Sequence, residues 1–284
     1  MGALRALLQA GIVPELIVGA SAGAINGAFL AASPTLAMCD EMASLWMRAG
    51  KRKLIAAGPL QVIKQLARGA DYISHNRKLK RYARMRFPGG RTRFGDLQVP
   101  FYAAIMHLQS HTLWIYGDDK DADVVDAIGT SSAVPGFFPP DAVGDELFVD
   151  GGSASPLPVR VAVARGATEI YALDIAFDIR NTPRKVRGSL AIGELSGRPT
   201  QYKLSLAELE FAQRTGVPVH HIALHDFPLV ALGDFSNTQN MIESGERVTR
   251  AYLAAPTPGV IHYPHRFTAD ELPKGPPGAR PFLD

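Results

Sequence analysis

The chain has 284 residues, of which 46% are hydrophobic and 20% charged, and its net charge is +3. These values predict one large domain or two small ones and exclude a disordered, collagen-like or low-complexity chain. The single cysteine, Cys39, excludes an intramolecular disulfide and favours a reducing compartment, and no run of 18 apolar residues predicts a transmembrane helix.

Hydrophobic periodicity predicts strands that alternate with helices, which is typical of an α/β fold with a parallel or mixed sheet. Helices are predicted at residues 3–9, 22–32 and 124–132. Strands are predicted at residues 16–18, 100–108, 112–116, 147–149, 170–175 and 219–224. Residues 256–284 contain seven of the 21 prolines, which predicts a tail after a domain of residues 1–255.

A basic segment, residues 48–93, interrupts this alternation and is predicted to be a helical insertion. It contains 14 Lys and Arg against one acid, Asp71, so it carries +13 and leaves −10 for the rest of the chain. Leu79, Tyr82 and Met85 are spaced i, i+3 and i+6, which predicts an apolar stripe flanked by cations. Either this stripe faces the core, or it meets an anionic lipid surface. No nucleic-acid partner is expected, because no recognised binding module accompanies the charge. The cations expected at such a membrane are Arg77, Lys78, Lys80, Arg81, Arg84 and Arg86.

The strongest chemical motif is Gly19-Ala20-Ser21-Ala22-Gly23, between a predicted strand and a predicted helix. A serine nucleophile on such a sharp turn needs small neighbours, and glycine two residues before and after it is expected to relieve the crowding. The N-terminal N–H groups of the following helix would face developing negative charge. The motif therefore predicts Ser21 as a nucleophile.

Two other interpretations fit the same residues. The turn resembles the Gly-rich turn of short-chain dehydrogenases, although Ile25 occupies the place of a third glycine. Such enzymes also need a helical Tyr-x-x-x-Lys, and the copy at Tyr116 to Lys120 contains glycine and two aspartates, which predict a turn. Alternatively, Ser21 only caps the helix.

A hydrolytic serine needs a base, and two candidates are present. Asp150 ends an apolar strand and is followed by Gly151 and Gly152, at the kind of sheet edge where α/β folds place their sites. An Asx-turn is the simpler explanation of the same spacing. His220, in a predicted strand, is the candidate base if the residues follow the chain order Ser-Asp-His.

Four segments, in the expected order, resemble the patatin-like phospholipase family. They are residues 2–28 around the serine, residues 131–140 with their three prolines, Asp150-Gly151-Gly152 with the downstream prolines, and residues 234–252. The resemblance implies a three-layer α/β/α fold with a central, mostly parallel sheet. It also implies acyl ester hydrolysis by a dyad, with Ser21 as nucleophile and Asp150 as base, and neither metal nor cofactor.

Members of that family carry a strand and a Gly-rich loop before the helix that here begins near Ala3, and that loop supplies oxyanion donors. The printed sequence begins after this point, so we expect either a truncated start or an impaired member, with the Ala22 N–H as the remaining candidate donor. The prediction is a cytoplasmic lipid acyl hydrolase, peripheral at the membrane, that acts on phospholipids or other acyl lipids. The alternatives are a serine esterase with a histidine base, a catalytically impaired membrane-associated member and a dinucleotide-binding dehydrogenase-like protein.

Overall fold

The computed structural model describes residues 1–51, 72–175, 189–227, 230 and 233–262. Residues 52–71 of the predicted insertion and residues 263–284 of the predicted tail lie outside these ranges. The helices are α1 (Gly2–Gln9), α2 (Ala22–Ala32), α3 (Leu36–Lys51), α4 (Arg77–Arg86), α5 (Val124–Ser131), α6 (Val159–Ala164), α7 (Ser189–Thr215) and α8 (Thr238–Ala254). The strands are β1 (Ile17–Ala20), β2 (Phe101–His107), β3 (Leu113–Tyr116), β4 (Asp141–Val143), β5 (Glu146–Asp150), β6 (Ile170–Asp174) and β7 (Val219–Ala223).

The helices and strands predicted from periodicity are all present, with bounds that differ by at most two residues. The α/β class is therefore confirmed. The short strand β4 was not predicted. It pairs with β5 through a turn at Gly144, whose φ of 62° is a conformation that glycine adopts readily.

The pairing of the strands brings two of their ends together. Strand β1 runs parallel to β2, with Ala20 opposite Ala104, and β5 runs antiparallel to β2, with Asp150 opposite Ile105. Strand β3 pairs with residues 103–106 of β2 and so occupies the other edge of that strand. Strands β1 and β5 therefore lie end to end on one edge of β2, and their carboxyl ends meet.

The strand pairings are mixed, and β2 and β5 run antiparallel although no short connection joins them. The β2–β3 and β4–β5 hairpins are antiparallel, whereas β1–β2 and β6–β7 are parallel. In the described part of the chain, β6 and β7 form a separate two-stranded sheet.

Helix α2 packs closely on the sheet and fixes the direction of the chain after β1. A Cβ at Gly27 would lie 2.9 Å from Ile17 Cγ2 and 3.0 Å from a ring carbon of Phe101, so only glycine allows this approach. The helix also supplies fully or nearly fully buried side chains to the main core, among them Phe29 and Leu30. Its N-terminus is thereby held at the end of β1.

The predicted apolar stripe of α4 is only partly correct. Leu79 and Tyr82 are buried in the core, as the alternative interpretation expected, together with Ala83. Met85 is 66% exposed, which contradicts its place in the stripe. A spacing of six residues turns a helix by 600°, so Met85 lies about 120° around the helix from Leu79.

The cations of α4 fall into two groups. Lys80 pairs with Asp141 at 2.8 Å, and Arg84 pairs with Asp123 at 2.7 Å. Both therefore fasten α4 to the domain, and their role at a membrane stays a prediction. Arg77, Lys78 and Arg81 are exposed, and Arg86 lines a pocket described below. Among the described residues, none of the helices combines the length and apolar character needed to cross a bilayer.

Candidate active site

Ser21 stands at the junction of β1 and α2 in a strained backbone conformation. Its φ is 53° and its ψ is −124°, a region that non-glycine residues occupy rarely and mostly where function requires it. A Cβ at Gly19 would lie 2.5 Å from the backbone of Gly23, so the sharp turn tolerates no side chain at residue 19. The turn lifts the serine out of the line of the strand, as a nucleophile requires.

The two glycines of the motif have different roles. Gly19 is needed for the close approach of strand and helix, as predicted. The same expectation is wrong for Gly23, because a Cβ there would meet nothing within 4 Å. Gly23 is exposed, on the open side of the turn.

Asp150 ends β5 and is 5% exposed. Its carboxylate Oδ1 accepts a hydrogen bond of 2.7 Å from the Gly152 N–H, and the Ser21 side chain is near enough to lower the pKa of this carboxyl group. The next residue must be glycine, because a Cβ at Gly151 would overlap the carbonyl of Ala104. The structure thus brings Ser21 and Asp150 together, through the end-to-end arrangement of β1 and β5.

Burial raises the pKa of Asp150 from 3.8 to about 6, and the Ser21 side chain and the Gly152 N–H limit that rise. A carboxylate with a pKa near 6 is mostly ionised at neutral pH and is still a better proton acceptor than an exposed aspartate. The Asp150 side chain therefore has the protonation behaviour of a general base.

The first turn of α2 offers backbone donors beside Ser21. The N–H groups of Ala22 and Gly23 open the helix, where no carbonyl of the same helix precedes them. The Ser21 N–H is not available for this purpose, because it donates to Ser131 Oγ at 3.0 Å. The predicted oxyanion donor, the Ala22 N–H, is thus one of two backbone donors that α2 presents beside Ser21.

The His220 side chain contacts residues other than Ser21. Its Nε2 is 2.8 Å from Glu169 Oε1, its Nδ1 is 3.0 Å from the Tyr252 hydroxyl, and its ring stacks on Tyr171 at 4.2 Å. Both ring nitrogens are therefore occupied by groups other than Ser21. Within the described ranges, no set of three or more His, Cys, Asp or Glu side chains is placed to hold a metal ion.

The features of a dehydrogenase do not assemble. Tyr116 ends β3, and Lys120 lies in the turn that follows, where its Nζ donates to the Gly117 carbonyl at 2.8 Å. The Tyr-x-x-x-Lys segment is therefore a turn, as its sequence predicted, and it offers no helical tyrosine–lysine pair.

A small apolar pocket of about 40 Å³ opens along α2, between this helix, α3 and α4. On α2 it begins at Ile25, whose N–H bonds to the Ser21 carbonyl and which therefore lies one helical turn from the serine. Its polar wall group, Asn26 Oδ1, accepts a hydrogen bond from Trp46 Nε1 at 2.7 Å. The other lining residues are Phe29, Met42, Leu45, Ala49, Leu79, Tyr82, Ala83 and Arg86. Sequence reasoning missed this pocket because its walls come from three separate helices.

The fold and the site thus define an α/β protein with a strained serine and a buried carboxylate at one sheet edge. A family model described as patatin-like phospholipase matches residues 1–163. This match covers more than half of the chain, so the chain belongs to the patatin-like phospholipase family, a family of lipid acyl hydrolases.

Individual relatives are distant. Patatin-like phospholipase domain-containing protein 6 of Mus musculus and its namesake of Homo sapiens are each 24% identical over 178 residues, 62% of this chain and 12% of the relative. The chain therefore spans about an eighth of the length of these curated relatives. The crystal structure of VipD from Legionella pneumophila is similar with a TM-score of 0.44 and 15% identity, over 89% of this chain and 64% of that one.

Proposed function

We propose that this chain hydrolyses acyl esters of lipids, with Ser21 as the nucleophile and Asp150 as the general base. The observation that carries the proposal is the placement of the strained Ser21 and the buried Asp150 at the adjoining carboxyl ends of β1 and β5. The histidine-base alternative is weaker, because the ring of His220 is held by Glu169 and Tyr252.

The reaction follows from these positions. Asp150 accepts the Ser21 hydroxyl proton while Oγ attacks the ester carbonyl, and the Ala22 N–H stabilises the oxyanion. Asp150 then gives the proton to the departing alcohol oxygen, which leaves an acyl-serine. Water attacks this acyl group, Asp150 takes a proton from the water, and that proton returns to Ser21 as the fatty acid leaves.

The apolar pocket along α2 supports a lipid substrate. Its wall begins one turn from Ser21 and is formed by aliphatic and aromatic side chains, which suit an acyl chain. Burial of each methylene is worth about 0.8 kcal/mol. Esters with medium or long acyl chains should therefore have lower KM values than acetate esters.

Turnover of a chromogenic acyl ester tests the dyad. Ser21→Ala and Asp150→Asn should each reduce kcat by at least about a thousandfold, because the two residues act as one unit. Two matched variants serve as controls: Ser33→Ala at the other end of α2, and Asp145→Asn at the exposed turn before β5. Full activity of Ser21→Ala would refute the nucleophile, and full activity of Asp150→Asn would refute the base.

We further propose an anionic lipid surface as a partner of α4. The supporting observation is that Arg77, Lys78 and Arg81 are exposed on the helix that carries the exposed Met85. Each cation close to an anionic leaflet contributes about 1 kcal/mol. Lys80 and Arg84 do not add to this support, because each pairs with an aspartate.

Vesicle co-sedimentation tests this surface. Lys78→Glu with Arg81→Glu should weaken binding to anionic vesicles at least about thirtyfold in low salt, because two contacts of about 1 kcal/mol are lost. Lys203→Glu with Arg214→Glu changes the net charge equally on α7, where both residues are exposed, and is the control. Equal loss in both double variants would show that net charge alone drives binding.

A further inference from the structure

The last residue of α5 and the two residues after it contact the backbone of both dyad residues. Ser131 Oγ accepts the Ser21 N–H at 3.0 Å and donates to the Ala104 carbonyl at 2.7 Å. Two residues later, the Ala133 carbonyl accepts the Asp150 N–H at 3.0 Å. Residues 131–133 therefore tie the ends of β1 and β5 to each other and to β2.

Ser131 is fully buried, at 0% exposure, so neither of its hydrogen bonds is shared with solvent. Its hydroxyl accepts the N–H of the nucleophile with one lone pair and donates its one proton to the Ala104 carbonyl of the sheet. The residue it holds is one of the two non-glycine residues of positive φ in the described part of the chain. Such a conformation persists only where surrounding contacts hold it.

We propose that Ser131 is a positioning residue of this site: its hydroxyl holds the Ser21 backbone in the conformation that aims Oγ at Asp150. This inference rests on the proposed function, since it assigns Ser131 a role only if Ser21 and Asp150 react. Ser131 acts through Ser21 and does not touch the reacting atoms.

The chain supplies a matched control in the next residue. Ser132 is 5% exposed and thus also buried, and its Oγ meets no hydrogen-bond partner among the residues that the structure describes. Ser131→Ala and Ser132→Ala therefore remove the same atom from adjacent buried positions, and only the first change removes a link to Ser21.

The experiment measures kcat, KM and their pH dependence for the two variants and the wild type. Each kcat is expressed per site titrated with a fluorophosphonate, so that unfolded molecules do not lower it. Ser131→Ala should lower kcat by about ten- to a hundredfold with KM nearly unchanged, because misplacement of a reacting group by about 1 Å has this effect. Ser132→Ala should stay within about twofold of the wild type.

The pH profile separates positioning from a general loss of stability. The Ser21 side chain lowers the pKa of Asp150, so a displaced Ser21 should move the acid limb of kcat to higher pH in Ser131→Ala alone. An unchanged kcat and acid limb in Ser131→Ala would overturn the inference, as would equal losses in both variants. If Ser21→Ala itself retained turnover, the proposed function would fall instead.

Discussion

Replacement of Asp150 by Asn should stabilise the protein while it removes activity. A carboxyl group with a pKa of about 6 in the folded state and 3.8 in the unfolded state binds its proton more tightly when folded. Its ionisation therefore destabilises the folded state as pH rises through this range. The difference of about 2 units corresponds to about 3 kcal/mol at pH 7.5, and to about 1 kcal/mol at pH 4.5.

Asn has the same shape as Asp and carries no charge to desolvate. Its Oδ1 can still accept the Gly152 N–H, so the hydrogen bond of 2.7 Å is retained. Urea unfolding of both proteins at pH 7.5 and 4.5 measures the effect. Asp150→Asn should be more stable at pH 7.5, and its advantage should shrink towards pH 4.5. The exposed Asp145→Asn should show no such trend. A variant that is less stable than the wild type at pH 7.5, or an advantage independent of pH, would refute this reasoning.

Three further predictions follow from the same geometry. Gly19→Ala should lower kcat, and it should lower the free energy of unfolding by about 1–3 kcal/mol, because its Cβ would meet the Gly23 backbone. Gly23→Ala should leave the free energy of unfolding unchanged or slightly raised. Thermal unfolding and ester turnover of the two variants measure these effects. The wild-type kcat/KM should fall below about pH 6 with unit slope as Asp150 is protonated, and a profile that is flat down to pH 4.5 would contradict its role as base. His220→Ala should retain kcat within about threefold, because its ring contacts Glu169 and Tyr252, and a loss as large as that of Ser21→Ala would restore the histidine-base mechanism.

Local signals in the sequence were enough to predict the two chain segments, around Ser21 and before Asp150, that form the site. The strand before Ser21, the helix after it and the strand before Asp150 are each encoded by neighbouring residues, through apolar runs bounded by glycine or proline. The predicted turn at Tyr116 was correct for the same reason.

The contacts between distant segments could not be predicted in this way. The meeting of β1 with β5 depends on which edge of β2 each strand pairs with, and no local pattern specifies an edge. The link from Ser131 to Ser21 spans 110 residues and consists of one hydroxyl, which composition and spacing do not distinguish from that of Ser132. The placement of Met85 failed because a spacing of three residues drifts around a helix by about 60° at each step.

The most direct measurement of the central claim is the site of covalent labelling by a fluorophosphonate, mapped by peptide mass spectrometry. An activated serine is phosphonylated at Oγ, whereas the hydroxyl of an ordinary serine is a weak nucleophile. We expect one adduct, on Ser21, which is absent from Ser21→Ala and forms much more slowly in Asp150→Asn. An adduct on another serine, or labelling of Ser21 at an equal rate in Asp150→Asn, would contradict the claim that these two residues act as a catalytic dyad.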